Sequence, residues 1–198
     1  MAHIHRTTMT PGKLELLTGW LPKQSWYLNT AAPPELVKAG GFRLDDPEGE
    51  VGIEFMVVAD TTPREPVAYL VPMTYRGAPL TDAPHDALIG TSEHGVLGRR
   101  WIYDALHDPV ATTQLHALLR AEATPQHQSE SDTPDPTVTV HRPLTDDPFE
   151  IRLTRVLRPL DPSAESPGSL TAGWTWPDGT TTRGVFATAA RQDTPPQG

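Results

Sequence analysis

Apolar residues recur along this chain with two different periods. Leu14, Leu17 and Leu21 stand at helical spacing, so a short amphipathic helix is predicted near the start. Thr10-Pro11 before it reads as N-cap and first helical position, because proline lacks a donor that this position would leave unsatisfied anyway. Pro22 ends the helix by steric clash. Residues 2–8 read as a short strand, and Ala39-Gly40-Gly41 and Asp45-Asp46-Pro47-Glu48-Gly49 read as a break and a turn. The period then changes to two. Val51, Ile53, Phe55 and Val57 form one alternating row, and Val67, Tyr69, Val71, Met73 and Tyr75 form another, joined by a loop over 60–66. Pro72 cannot donate to a ladder, so the second strand is expected at a sheet edge or bulged there. Ala87-Leu88-Ile89 and Trp101-Ile102-Tyr103 read as further short extended segments around the glycines of 90–98.

Asp108-Pro109 repeats the arrangement of cap plus proline. Ala111, Leu115, Leu118 and Leu119 follow as an apolar stripe, which predicts a second helix over about 109–122. From Thr124 to Pro136 the chain is rich in Gln, Ser, Asp, Glu, Thr and Pro, and too few apolar groups remain to offset ordering. The last third alternates again: 137–141, 149–157 and 169–176, with a turn at Pro177-Asp178-Gly179 into 181–187. The expected organisation is a subdomain over 1–123, a mobile linker over 124–136, a β-rich subdomain over 137–191 and a disordered tail over 192–198.

Composition narrows the function classes. A net charge of -9 and the absence of any cluster of Lys and Arg beyond Arg99-Arg100 argue against a nucleic-acid or anionic-membrane surface. With no cysteine there is no disulfide, thiolate nucleophile or thiolate-held zinc. The N-terminus lacks the apolar run of a signal peptide and no stretch reaches the ~20 apolar residues of a membrane span, so a cytoplasmic address is expected. Thirteen arginines against three lysines suggest a GC-rich bacterial genome.

Candidate chemistry is sparse. Gly90-Thr91-Ser92-Glu93-His94-Gly95 has the glycine spacing of a phosphate loop, but Val96-Leu97 stand where Lys and Ser or Thr must follow, so it reads as a turn. The eight histidines contain no close helical pair; His3 and His5 share a side of the expected first strand, and His107 adjoins an aspartate already used as a helix cap. No Gly-x-Ser-x-Gly elbow is present. Glu54 alternates with the apolar row and is expected to face solvent. Trp174 and Trp176 share one face of a strand by period two, together with Leu170 and Ala172. Two such rings suit a core, a protein interface or a sugar-stacking surface, and they are the candidate interaction face. No catalytic residue, metal ligand or cofactor is expected.

In a chain only 7% aromatic, Trp20-Leu21-Pro22-Lys23-Gln24-Ser25-Trp26-Tyr27 concentrates three aromatics after the first helix. Trp20, Gln24, Trp26 and Tyr27 are expected to form a structural anchor. Trp26 would lie beneath the helix, and Gln24 would bond backbone freed by Pro22. This segment, with Val71-Pro72-Met73-Thr74-Tyr75-Arg76 before Leu88-Ile89-Gly90-Thr91 and then Tyr103 to Pro109, resembles the N-terminal cap region of bacterial maltokinases over about 14–122. The resemblance implies an α+β fold with a curved, mainly antiparallel, cystatin-like sheet. Leu153-Thr154-Arg155-Val156-Leu157-Arg158-Pro159-Leu160 resembles the N-lobe strand that holds the phosphate-binding lysine in such kinases. Here the only lysines are Lys13, Lys23 and Lys38, and Arg152 or Arg155 would be the sole cations in that place. The catalytic Asp and the Mg-binding triplet of a kinase C-lobe are also not found. The resemblance therefore implies a non-catalytic, cap-like accessory protein of bacterial α-glucan, trehalose or maltose metabolism that contacts a partner enzyme. The alternatives are a sugar or sugar-phosphate binding module and a degenerate phosphotransferase with residual nucleotide binding.

Overall fold

A computed structural model describes residues 8–28, 32–144, 149–161 and 166–191. The paired His3 and His5, most of the first expected strand and the 192–198 tail lie outside them. The fold is α+β. Its strands are β1 (Met9–Thr10), β2 (Leu36–Leu44), β3 (Gly52–Asp60), β4 (Val67–Arg76), β5 (Leu88–His94), β6 (Gly98–Asp104), β7 (Gln126–His127), β8 (Thr139–His141), β9 (Phe149–Leu153), β10 (Ser169–Thr175) and β11 (Thr181–Arg191). They form one sheet in the order β1-β5-β6-β4-β3-β2-β10-β11-β9, with β7 added beside β2 and β8 beside β10. Every named strand pair among the described residues is antiparallel.

Helices cover the central strands on both faces. The first, α1 (Lys13–Trp20), starts after Gly12, whose N–H donates to the Glu15 carboxylate at 3.3 Å, and not at Thr10-Pro11. It ends at Trp20, ahead of Pro22; Leu21–Lys23 tightens into a 3₁₀ turn, which tolerates proline near its start, and Trp26 and Tyr27 follow in irregular chain. The second, α2 (Pro109–Leu119), starts as expected with Asp108 accepting from the Val110 N–H at 3.0 Å, and ends three residues short of 122. The two apolar rows of the sequence face opposite helices. Ile53, Phe55, Val57 and Ala59 pack toward α2 with Phe42, Leu170, Trp174 and Phe186. Met56 and Val58 join Tyr69, Val71 and Met73 beneath Leu17, Trp20 and Leu21 of the α1 segment.

Three expectations change at this level. Residues 124–136 do not form a free linker: β7 pairs through His127 and Gln126 with Phe42 and Arg43, and Asp135 caps its own turn by accepting from Thr137. The extended stretch read over 149–157 divides at Thr154. Its first part pairs with β11, whereas Arg155 to Leu157 crosses to β4, where Leu70 donates to the Arg155 carbonyl and Leu157 donates to that of Ala68. Pro72 lies in a central strand, yet the reasoning about its missing donor holds locally. Leu70 points its N–H away from β3 to Arg155, and Pro72, two residues on, turns its nitrogen to the same side. There it falls between the 155–157 crossing and the start of β6 pairing at Met73. The two halves are one sheet over a shared core, because β10 meets β2 at Trp174 and Gly40, and Leu157, Leu170 and Phe186 pack with Phe42 and Phe55.

Candidate functional site

The face of β3 that meets α1 carries Glu54, Met56, Val58 and Asp60, with a carboxylate at each end of two apolar residues. Both carboxylates are buried and both are tethers. Glu54, 3% exposed and not solvent-facing as its alternation suggested, accepts from Lys13 Nζ at 2.6 Å and Tyr75 OH at 2.5 Å on one oxygen, and from Gln128 Nε2 at 2.8 Å on the other. Lys13 is the first residue of α1 and Gln128 belongs to the presumed linker, so one carboxylate fastens two segments to the sheet. Asp60 accepts from Tyr27 OH at 2.8 Å and from the Thr62 and Glu35 N–H groups. The α1 segment is thus pinned at Lys13 and at Tyr27.

Burial alone would push the Glu54 carboxyl up, but the Lys13 ammonium and the hydrogen bonds from Lys13, Tyr75 and Gln128 outweigh it and hold the group below its ordinary range. Burial and the Glu54 charge drive the Tyr75 phenol well above its own. At neutral pH the cluster is therefore carboxylate, ammonium and neutral phenol, all mutually engaged. A carboxylate held below its ordinary range by three donors is a weak general base.

The aromatic anchor sits at the other end of α1. Trp20 donates Nε1–H to the Asp86 carbonyl at 3.0 Å, and its ring meets Trp26 edge-on at 5.9 Å. Trp26 rests against Tyr69 at 6.0 Å and carries the Arg155 guanidinium 5.0 Å above it. Gln24 Nε2 donates to the Trp20 carbonyl at 3.4 Å, and Tyr27 lies 5.3 Å from Tyr69. Arg155 also pairs with Asp104, so the arginine that stands in the lysine-strand resemblance is spent on structure, while Arg152 is exposed. Asp108 caps α2 and takes a two-point ion pair from Arg76 at 2.6 and 2.7 Å.

Trp174 requires a correction as an interaction surface. It is 1% exposed, edge-on to Trp176 at 5.7 Å and close to Phe186 at 6.3 Å, over the crossing of β10 and β2. The reason is the shared core: Trp174 belongs to one cluster with Phe42, Phe55, Leu115 and Phe186, a covering that period two cannot distinguish from an open face. Trp176 is half-buried and donates Nε1–H to Thr182 at 2.8 Å. The glycine segment 90–95 is strand up to His94, with a turn over 95–97. Among the described residues no group of three or more His, Asp or Glu side chains is placed to hold a metal ion, and no helix is long and apolar enough to cross a membrane. The crevice between α2 and β4, lined by Phe55, Pro72, Ala105, Leu106 and Leu115, is apolar. Its Thr112 hydroxyl already donates to the Pro109 carbonyl at 3.1 Å.

Sequence reasoning missed Glu54, Asp104–Arg155 and Arg76–Asp108. A signal for the first exists: Phe55-Met56-Val57-Val58-Ala59 is an unbroken apolar run, which marks a strand covered on both faces and places the acidic residue beside it at the core. The pairs of arginine and aspartate join segments far apart in sequence and leave no local trace. The geometry is that of a tethered sheet-and-helix module, and its residues 20–108 match the family model described as the maltokinase N-terminal cap domain, which associates the chain with maltokinase-related α-glucan metabolism.

Proposed function

We infer that this chain is a non-catalytic, cap-like accessory protein that acts by contacting a protein partner, an enzyme of α-glucan, trehalose or maltose conversion. The observation that carries this reading is the use made of the buried carboxylates. Glu54, Asp60, Asp104 and Asp108 each hold one segment to another through named donors. In the strand that resembles the kinase lysine strand, Arg155 is engaged in the same way. Groups committed to mutual ion pairs are poor acids, bases and phosphate ligands, since freeing one leaves its partner uncompensated.

The reading has two parts and two measurements. Incubated with ATP, magnesium and maltose or glucose, the purified chain is expected to release no ADP; ADP release matched by sugar phosphate overturns the non-catalytic part. In sedimentation velocity, titration against purified enzymes of the three pathways is expected to yield a saturable complex with one of them. Independent sedimentation with all of them overturns the partner part.

A further inference from the structure

The geometry points to the tip of the β5–β6 hairpin as the docking element, an apolar finger that inserts into an apolar socket rimmed by carboxylates on a partner protein. This rests on the reading that the chain works through a protein partner and names the surface and the chemistry it fits. Val96 and Leu97 are adjacent aliphatics at the apex of the turn, 62% and 46% exposed. Exposed apolar residues scattered singly need no explanation, but two together on a projecting turn are the kind of anchor that interfaces bury.

The second observation is how the turn is finished. A loop that enters a dry socket must leave no backbone donor unpaired. Here Gly95 N–H donates to the Thr8 carbonyl at 3.1 Å, and Val96 and Leu97 both donate to His94 Nδ1, at 3.3 and 3.1 Å. From the opposite strand, Arg100 Nη2 donates to the Leu97 carbonyl at 3.0 Å. Each of the three loop N–H groups thus has an acceptor within the chain, two of them sharing the His94 Nδ1 lone pair, and the Leu97 carbonyl has a donor. Gly98, at φ +68, supplies the left-handed residue that closes a three-residue hairpin loop. The apex is therefore preorganised, and little ordering remains to oppose binding.

Charge indicates the rim. The protein as a whole is acidic at -9, yet the descending strand presents an exposed arginine, Arg99, just below the apex, while Arg100 on the other face is the one that braces the turn. Arg99 is extended over the Trp101 ring at 5.8 Å and only loosely paired with Glu93 at 3.6 Å. An exposed guanidinium beside an aliphatic tip, on a protein of opposite overall sign, complements carboxylates around an apolar cavity.

The test uses the full chain in its native host with p-benzoylphenylalanine in place of Leu97, and separately in place of Glu65 on the exposed β3–β4 loop. Adducts formed on irradiation are identified by mass spectrometry, and the captured protein is purified and titrated. The expected result is an adduct from position 97 and not from 65. With the purified partner, Leu97→Asp should weaken binding at least tenfold and Arg99→Glu should weaken it and flatten its salt dependence, both at unchanged melting temperature. His94→Ala should weaken binding through the loosened turn, with His94→Asn restoring part of it. An adduct from 65 alone, or a partner that binds Leu97→Asp as tightly as the unaltered chain, overturns the assignment of the apex and leaves a protein-partner function standing. Absence of any adduct at either position, with no complex in sedimentation, overturns both.

Discussion

Glu54 shows how a single side chain decides more than its sequence context suggests. Its folded carboxyl lies below the ordinary range, so the stability it contributes is present above an unfolded value of about 4.3 and is lost as pH falls through the lower folded one. Asp108 has the same sign: burial raises it, and hydrogen bonds from Arg76 and the Val110 N–H, with the Arg76 charge, more than offset that. Acid titration followed by circular dichroism should show stability falling below about pH 4, with Glu54→Gln flattening that limb. Because Lys13 is 35% exposed and screened, Glu54→Gln should cost only about 1–3 kcal/mol at neutral pH, read in urea. The tryptophans invert the expectation from sequence. Trp174→Ala empties a closed site and should cost ~3–5 kcal/mol, lowering the melting temperature by roughly 6–20 °C for a chain of this size. Trp26→Ala, at a half-buried ring, should cost less, and calorimetry of both variants checks the order. Period two placed Trp174 and Leu170 on one face correctly. It could not say that this face is covered, because the residues that share its core, Phe42, Phe55 and Leu115 among them, come from distant parts of the chain.

The elements read best were those with internal periodicity, and the boundaries moved where tertiary partners intervened. Strands β3 and β4 were legible from alternation, and α2 from its cap and stripe. By contrast, 124–136 has a disordered composition but is fixed by two residue pairs between β7 and β2 and by Gln128 on Glu54. Limited digestion with a protease of broad specificity, such as subtilisin, should cut near exposed Glu130, at the tip of this segment, before any site in α2. First cleavage within 109–119 would contradict the helix. At Gly41 the close approach of two strands sets the residue type: φ is +128 and an added Cβ would stand 2.1 Å from the Phe55 carbonyl oxygen. Gly41→Ala should therefore separate β2 from β3 and yield insoluble or markedly less stable protein, whereas Gly49→Ala, with open space around its Cβ, should cost far less.

At the scale of the whole molecule, the expected division into cap, linker and β-rich remnant gives way to one sheet and a shared core. Scanning calorimetry should show a single transition whose van't Hoff and calorimetric enthalpies agree, and two resolved transitions would restore the division. Residues 1–123 expressed alone should aggregate, and co-expression with 124–198 should recover soluble complex. The crossing of Arg155 to Leu157 onto β4 also sets an order of events on the ribosome. Leu70 and the Arg155 that completes its edge are 85 residues apart, which at about 5–20 residues per second is roughly 4–17 s of synthesis. For that interval the nascent chain holds a long apolar strand whose outer edge has no native partner from Val67 to Pro72, before β6 pairing starts at Met73, a template for pairing with another copy. Newly made protein should therefore depend on chaperone occupancy of β4 far more than the finished protein does, and vectorial synthesis, rather than final stability, should limit its yield.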